Sequence, residues 1–311
     1  MNTPSISVIT GQTATGKTAL AVETAKRING EIISADSRQV YRGMDIITGK
    51  DLDSHDFHEV RRHGSHRVGY YLIDSVPVWL LDIVAPSEHF SSHEYARHAI
   101  PCIRDILNRG KTPILTGGTY LYLYHVLYGL DGPEVGPDED LRAELSGLTI
   151  EALQERLRVL DPGLFDSLND SDRNNPHRLI RKIELAGRGG RAGALRFDFT
   201  IGERLGITGV SIEMTGLRYA SRERLRQAIE QRVDKRVAAG AKAEVKTLLD
   251  AYAADAPGMK TIGYDQMIRA VLGTLTHEQA VSEWITKEMQ YAKRQLTFMK
   301  RDPHIIWHDI P

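Results

Sequence analysis

The sequence predicts an α/β protein built on a parallel β-sheet flanked by helices. Two observations near the amino terminus carry this prediction. An apolar segment, a glycine-rich turn and a helical pattern follow one another over residues 6–25, and a second apolar segment, residues 31–36, ends in a carboxylate. The length of 311 residues suits one large α/β domain or a core with an inserted piece.

The glycine-rich segment at residues 11–18 reads GQTATGKT and matches the phosphate-loop (P-loop) pattern G-x-x-x-x-G-K-[ST] at every fixed position. Glycines let backbone N–H groups turn toward an anion, and the start of the following helix adds partial positive charge. Lys17 supplies a point charge for a terminal phosphate, and Thr18 a hydroxyl for Mg²⁺. The pattern leaves the phosphate ligand open. It predicts a P-loop NTPase-like fold whose ligand contacts Gly11, Gln12, Thr13, Ala14, Thr15, Gly16, Lys17 and Thr18.

Composition and charge are those of an ordinary globular protein, with 41% hydrophobic residues, 26% charged residues and a net charge of −1. No apolar run approaches the length of a membrane span, and residues 1–10 lead straight into the first strand. We therefore expect a cytoplasmic protein with no signal peptide and no membrane contact. The single cysteine, Cys102, excludes an internal disulfide framework and a cysteine-rich zinc site.

Charge is distributed unevenly along the chain. Residues 134–172 contain eleven acidic and three basic side chains, whereas residues 173–246 contain seventeen basic and eight acidic ones. Such asymmetry can mark a nucleic-acid footprint that the net charge hides, and it can also arise from the solvated faces of helices. Charge alone favours the second interpretation.

Polar residues follow the second predicted strand, at whose carboxyl end Asp36 stands. Ligands of open α/β sheets bind beyond the carboxyl ends of the strands, so Asp36 should face the same crevice as the P-loop. The adjoining residues 37–50 are rich in side chains able to bind a ligand, which favours a site over a connector. A later strand, residues 112–116, opens into two glycines that permit close backbone approach, with Thr119 positioned to bond a ligand.

Residues 51–69 are polar and contain four histidines, but they lack a strong helical pattern and a cysteine partner. We predict a solvated loop there in preference to a metal cluster. Two apolar runs follow at residues 70–74 and 78–84, and each carries an aspartate. Asp74 or Asp82 could therefore supply the second Mg²⁺-binding motif of a P-loop ATPase.

The middle of the chain reads as a departure from the sheet. Glycine and proline at residues 129–137 predict an exit from the core, and residues 138–160 predict two short helices broken at Gly147. The helix that starts near residue 174 places Arg178, Arg181 and Lys182 on one face. We expect a loop or hinge at 187–193 and returning strands at 197–203 and 209–214.

The remainder is mostly helical. Ser91 or Ser92, Thr149 and Ser221 are predicted to cap helices. The long basic helix after Ser221 has Arg232 beside its apolar stripe, so this guanidinium could turn toward a cleft. Residues 305–307 form a predicted final strand.

Seven segments, in this order, carry a resemblance to a known family: GQTATGKT, ISADSRQVYRGMDIITGK, ILTGGTYLY, NPHRLIRKIE, IEQRVDKRVAAGAKAEV, KTIGYDQMIRAV and YAKRQLTFMKR. The chain resembles the tRNA dimethylallyltransferases, also called tRNA isopentenyltransferases, over nearly its whole length. The P-loop followed by DSRQVY is the most specific part. The resemblance implies a P-loop core at 1–132 and 205–311 and an inserted all-helical, tRNA-binding domain at 133–204.

The resemblance also implies a reaction. The family transfers a dimethylallyl group from dimethylallyl diphosphate to N6 of the adenosine next to the anticodon, position 37 of tRNA, and releases diphosphate. It implies Mg²⁺ on Thr18, a catalytic set of Asp36, Arg232, Lys17 and Thr13, and a monomer that binds a tRNA anticodon stem-loop. The implied RNA contacts are Asp36, Ser37, Arg38, Gln39, Thr119, His177, Arg178 and Arg181.

The chain departs from the family pattern in three places. The family more often has glutamine at the position of His177, two histidines often follow the proline at Pro77, and residues 51–75 look like added length. Three other functions remain open: an adenylate isopentenyltransferase acting on free AMP, ADP or ATP, a small-molecule kinase or ATPase, and a non-catalytic RNA-binding module. The inserted helices and basic carboxyl-terminal helices favour RNA, DSRQVY argues against a kinase, and a P-loop is superfluous in a mere binding module.

Overall fold

A computed structural model describes residues 3–129, 138–187 and 195–311 of the chain. The chain divides into two compact units. The core unit comprises Met1–Leu127 and Phe199–Pro311, and the helical unit comprises Tyr128–Asp198. Within the described ranges, no helix has the length and apolar character needed to cross a membrane.

The core unit is organised around a β-sheet. Its strands are β1 Ser5–Gly11, β2 Gly30–Ser34, β3 His58–His63, β4 His66–Ile73, β5 Val76–Trp79, β6 Thr112–Gly117, β7 Ser211–Tyr219 and β8 Ile305–Ile310. They lie in the order β3-β4-β5-β2-β6-β1-β7-β8. The run from β5 to β8 is parallel throughout, whereas β3 and β4 pair antiparallel with their neighbours. The predicted parallel sheet is confirmed, with an antiparallel hairpin added at one edge.

Helices account for most of the remaining described residues. They are α1 Lys17–Ile28, α2 Ser92–Asn108, α3 Tyr120–Leu127, α4 Glu139–Ser146, α5 Ile150–Leu160, α6 Pro162–Asp166, α7 Asp170–Arg173, α8 Pro176–Gly187, α9 Ile201–Leu205, α10 Arg222–Ala238, α11 Ala241–Ala251, α12 Tyr264–Val271 and α13 His277–Met299, with a 3₁₀ turn at Gly258–Lys260. Ser91, Thr149 and Ser221 cap α2, α5 and α10 through their side chains, as predicted.

The strand register fixes the position of the functional loops. Strand β1 lies between β6 and β7, with Thr10 beside Gly117 and Gly11 beside Leu217. Strand β2 is parallel to β6, with Ser34 beside Thr116. The carboxyl ends of these four strands therefore meet at one edge, and the loops that follow them share that edge.

The helical unit has its own apolar core, formed by Leu145, Leu153, Leu157, Phe165, Leu168, Leu179, Ile180 and Ile183. Inside the unit, the buried carboxylate of Glu184 accepts hydrogen bonds from the Arg142 guanidinium at 2.6 and 3.0 Å and from the Asp138 amide at 3.0 Å. The predicted exit at 129–137 and the predicted loop at 187–193 lie almost wholly outside the described residues.

Two secondary-structure predictions are wrong. The histidine-rich segment is largely the β3–β4 hairpin, because its polar side chains sit on an edge strand where pairing with β4 supplies the order. Residues 197–203 contain no strand; they lead into α9, which ends at Gly206 in a left-handed conformation with φ 70°. No group of three or more potential metal ligands occurs among the described residues.

Glu31 at the start of β2 ties together distant parts of the sheet. Its buried carboxylate accepts hydrogen bonds from Arg109 at 2.7 Å, from Lys111 at 2.8 Å and from the Trp79 indole at 2.8 Å. Burial opposes ionisation of this carboxyl, but the three donors outweigh it and lower the pKa of Glu31 to about 2. Trp79, one of the departures from the family pattern, is therefore part of a structural cluster.

We expect Glu31→Gln to lower the free energy of unfolding by about 2 kcal/mol at pH 7. The stabilisation from a carboxyl with a depressed pKa is complete above its unfolded value of 4.5 and is lost as the pH falls toward about 2. The difference between the variant and the wild type should therefore shrink from pH 6 to pH 3 in urea unfolding. Asp105→Asn, which removes an exposed partner of Arg109, is the control and should have a small effect. A difference in unfolding free energy that stays constant with pH would contradict the stabilising role of the ionised Glu31 carboxylate.

Candidate active site

The P-loop joins β1 to α1 through a backbone that favours glycine at two positions. Gly11 has φ 143°, and a Cβ placed there would lie 2.1 Å from the carbonyl oxygen of Leu217. Gly16 precedes α1 with φ 77°. These conformations turn the loop toward the start of α1, where unpaired N–H groups and the helix dipole favour an anion.

Helix α13 contacts the P-loop through the side chain of Gln295. The Oε1 atom of Gln295 accepts a hydrogen bond from the Thr13 amide at 2.9 Å, and its Nε2 donates to the Gly118 carbonyl at 2.9 Å. One buried amide thus links the loops after β1 and β6. The sequence reasoning missed Gln295 as a site residue, although it lies inside the quoted YAKRQ segment.

Several cations surround the loop. Burial and the neighbouring Arg232 lower the pKa of Lys17 to about 7. Arg232 donates from Nη1 to the Thr13 hydroxyl at 2.9 Å, as its place beside the apolar stripe of α10 suggested. Arg236, one turn later, donates to the Thr48 carbonyl at 3.1 Å, and burial lowers its pKa to about 9. Positive charge is concentrated around the P-loop, and an anionic ligand there would reduce the repulsion between these side chains.

Asp36 and the P-loop line the same cavity, whose volume is about 670 Å³. Arg38, Gln39, Lys50, Asp51, Arg232, Arg236 and Gln295 also contribute to its wall. Asp36 Oδ1 accepts a hydrogen bond from the Arg38 amide at 2.9 Å, and its side chain is 16% exposed. The carboxylate is therefore fixed at the end of β2 and remains open to a ligand. The predicted shared crevice of Asp36 and the P-loop is thus present.

The other residues after β2 make polar contacts with one another. Thr119 Oγ1 accepts from the Ser37 amide at 2.9 Å and donates to the Ser37 hydroxyl at 3.1 Å. Gln39 accepts from the Ser34 hydroxyl at 3.0 Å and donates to the Gly49 carbonyl at 2.9 Å. These contacts join the loops after β2 and β6 and place Gln39 in the cavity wall.

The turn at residues 45–50 is held by an acidic side chain that the sequence reasoning did not single out. Glu244 on α11 accepts hydrogen bonds from the amides of Asp45 at 2.8 Å, Ile46 at 2.6 Å and Ile47 at 3.2 Å. The carboxylate acts as a cap for this turn, which places Gly49 and Lys50 in the cavity wall.

Neither aspartate proposed as a second Mg²⁺ motif lies in the cavity wall. Asp82 is buried and neutralised by Lys50 and by the Arg67 guanidinium at 3.3 Å, and it accepts a hydrogen bond from the Tyr71 hydroxyl at 2.6 Å. Asp74 lies at the exposed β4–β5 turn, where it pairs with Lys26. The prediction of a Walker-type aspartate at either position is wrong: Asp74 precedes β5, whereas Asp82 follows β5 at the carboxyl edge of the sheet but is occupied by its buried partners.

The remaining predicted RNA contacts belong to the helical unit. Helix α8 exposes His177 and Arg178 and leaves Arg181 partly exposed. Arg178 pairs with Asp172 at 2.6 Å, and Arg181 with Glu184 at 3.1 Å. The Arg178–Asp172 pair is near the surface, where such an interaction contributes little stability, whereas the carboxylate that Arg181 contacts is buried.

The fold and its glycine-rich loop define a P-loop α/β protein. Residues 39–302 match the family model described as IPP transferase, and residues 4–64 match that described as Isopentenyl transferase. A tRNA dimethylallyltransferase from Geobacter metallireducens is 37% identical over 98% of this chain and 92% of its own length. One from Staphylococcus carnosus is 35% identical over 99% and 92%. The crystal structure of a tRNA isopentenylpyrophosphate transferase from Bacillus halodurans superimposes with a TM-score of 0.65 at 33% identity, covering 99% of this chain and 90% of that one. The chain belongs to the IPP transferase family, as the sequence resemblance indicated.

Replacing Gln295 with alanine should loosen the P-loop, because the Thr13 amide and the Gly118 carbonyl both lose a buried partner. We expect the affinity for inorganic diphosphate, measured by isothermal titration calorimetry, to fall roughly 5- to 30-fold. Gln290→Ala, an exposed glutamine on the same helix, is the matched control. Equal affinities in the two variants would show that Gln295 does not position the loop.

Proposed function

We propose that the protein transfers a dimethylallyl group from dimethylallyl diphosphate to N6 of adenosine 37 in tRNA and releases diphosphate. One observation carries this proposal: the P-loop, Arg232 and the carboxylate of Asp36 border a single cavity of about 670 Å³. A cationic end and a carboxylate end suit a reaction in which an anion leaves as an amine attacks. The family and the full-length relatives supply the identity of the two substrates.

The cationic end would stabilise the leaving group. As the bond between the allylic carbon and the bridging oxygen breaks, negative charge grows on the diphosphate. Lys17, the Thr13 hydroxyl and Arg232 are placed to receive it. Lys17 has a pKa of about 7 because burial and Arg232 disfavour its charged form. A bound diphosphate would restore that charge, so binding and protonation should reinforce each other.

The carboxylate end would accept the proton. The nitrogen N6 forms a bond to the allylic carbon while that carbon loses its oxygen, and the nitrogen must then shed one proton. Asp36 is the carboxylate whose backbone position and partial exposure suit a hydrogen bond from an exocyclic amine. Charge is conserved in this step, because the leaving diphosphate takes the electrons of the broken carbon–oxygen bond and Asp36 takes the proton.

Magnesium fits the same end of the cavity. Thr18 lines it with an exposed side chain, and the described residues contain no cluster of three protein ligands. Mg²⁺ commonly keeps several waters and binds through one or two protein groups plus substrate phosphates, so one hydroxyl is a suitable donor set. We propose that Thr18 would hold the ion, which would supply charge neutralisation to the diphosphate.

RNA would be held by basic side chains. We propose that His177, Arg178 and Arg181 on α8 contact the backbone of the anticodon stem-loop, while Ser37, Arg38, Gln39 and Thr119 surround the modified base. The base must leave its stack to reach Asp36. This assigns the charge asymmetry seen in the sequence to RNA binding.

The comparisons and the site weigh against the alternatives. An adenylate isopentenyltransferase would explain the match at residues 4–64, but the IPP transferase match at 39–302 and the relatives extend over the helical unit as well. A P-loop kinase would need an aspartate beside the P-loop threonine for its metal, and Asp82 is committed to Lys50 and Arg67.

Incubation with labelled dimethylallyl diphosphate and Mg²⁺ should label an anticodon stem-loop that carries adenosine at position 37. Asp36→Asn should lower the rate about 10²- to 10⁴-fold, the usual contribution of a positioned base, and leave RNA affinity nearly unchanged. Asp51→Asn, another carboxylate in the cavity wall, is the control. Labelling of free AMP but not RNA would favour the adenylate enzyme, and a full rate in Asp36→Asn would remove Asp36 as the base.

Arg178→Ala combined with Arg181→Ala should weaken stem-loop binding and reduce the magnitude of the slope of log affinity against log salt by about 1 to 2. Fewer phosphate contacts mean that fewer counterions are released on binding. Filter binding at several salt concentrations measures both quantities. The paired control is Arg156→Ala with Arg158→Ala, which removes two surface-paired arginines from α5 of the same unit. Identical slopes in the two double variants would mean that α8 does not contact the RNA.

A further inference from the structure

Glu288 is a buried carboxylate that the reaction scheme above does not use. It lies on α13, 2% exposed, and its Oε1 accepts from Arg38 Nη1 at 2.7 Å and from the Trp284 indole at 3.4 Å. Arg236 Nη1 is 4.0 Å away. Within the part of the chain that the structure describes, Glu288 Oε2 has no hydrogen-bond partner. A buried carboxylate with one unpaired oxygen is costly, so stability alone is a poor reason for its presence.

Arg38 lies between two carboxylates and binds one of them. Its Nη1 is 2.7 Å from Glu288, whereas its Nε is 3.7 Å from Asp36 Oδ1, beyond hydrogen-bond distance. The guanidinium packs over the Tyr291 ring, 4.9 Å from its centroid. Asp36 receives the backbone amide of Arg38 instead of its side chain. The guanidinium thus gives its hydrogen bond to Glu288, while its Nε stays within ion-pair distance of Asp36 without a hydrogen bond to it.

The choice of hydrogen-bond partner by the Arg38 guanidinium matters because Asp36 is the carboxylate proposed to accept a proton. A guanidinium bound in two-pronged fashion to Asp36 would occupy its lone pairs and reduce its basicity. Glu288 is the anion that competes for Arg38, because it is buried, close and charge-complementary. Arg232 and Arg236 flank the same carboxylate and help keep it ionised, since burial alone would raise the pKa of Glu288 and these arginines together with Arg38 lower it.

We propose that Glu288 is a positioning residue that holds the guanidinium of Arg38 away from Asp36 and so leaves the Asp36 carboxylate free for the amine of the substrate. The inference rests on the proposed function for its consequence in catalysis. Its structural content, the competition between Glu288 and Asp36 for Arg38, does not depend on the substrate.

A double-mutant cycle tests the proposal. Glu288→Gln keeps the shape of the side chain and removes its charge, so Arg38 should turn to Asp36 and the single-turnover rate of prenyl transfer should fall about tenfold or more. Arg38→Met leaves Glu288 without its main partner and should also lose activity. The variant carrying both changes should be more active than either single variant, because neither the misplaced guanidinium nor the uncompensated carboxylate is left.

Two measurements separate positioning from a merely structural role. The crystal structure of Glu288→Gln should show Arg38 hydrogen-bonded to Asp36, and the RNA dissociation constant should change less than threefold. Glu283→Gln, which removes another carboxylate from α13, should leave the rate unchanged. If the variant with both changes is as impaired as the worse single variant, or if Arg38 stays in place when Glu288 is neutralised, the proposal is overturned. Absence of transfer by the wild type, with Arg38 moving as expected, would overturn the proposed function and leave the competition for Arg38 standing.

Discussion

The loops that carry the P-loop and Asp36 depend on the parallel pairing of β2, β6, β1 and β7. Pairing Ser34 with Thr116, Thr10 with Gly117 and Gly11 with Leu217 brings the ends of four strands to one edge. This register places the P-loop, Asp36 and the Gly117–Gly118 turn next to one another. A slip of one residue would turn these side chains to the other face of the sheet.

Crowding of positive charge is the second constraint. Lys17 and Arg236 have lowered pKa values because burial and neighbouring cations disfavour their charged forms. Burial also lowers the pKa of Arg232. Such a cluster of buried cations is electrostatically unfavourable without an anion beside it. A diphosphate would remove the repulsion when it binds and strengthen it again as it departs, which links ligand binding to charge in a way that a neutral cavity could not.

The residues that form the site were predictable to the extent that their chemistry is local. The P-loop, the strand that ends at Asp36 and the cap at Ser221 follow from patterns within ten residues. Gln295 and Glu288 could not be found in this way, because they act on Thr13 and Arg38 from positions 282 and 250 residues away along the chain. Nothing in a helical pattern shows which of its polar residues are buried against another loop.

The failures have the same origin. Asp82 follows an apolar run as Asp36 does, and the parallel pairing of β5 with β2 brings both to the same edge of the sheet. Only the three donors around Asp82 distinguish this buried structural carboxylate from one that faces the cavity. Asp36 accepts a hydrogen bond from the Arg38 amide, whereas the Arg38 guanidinium hydrogen-bonds to Glu288. Which side chains pair with a carboxylate at the end of a strand is a property of the folded arrangement, and the residues around it in the sequence do not show it.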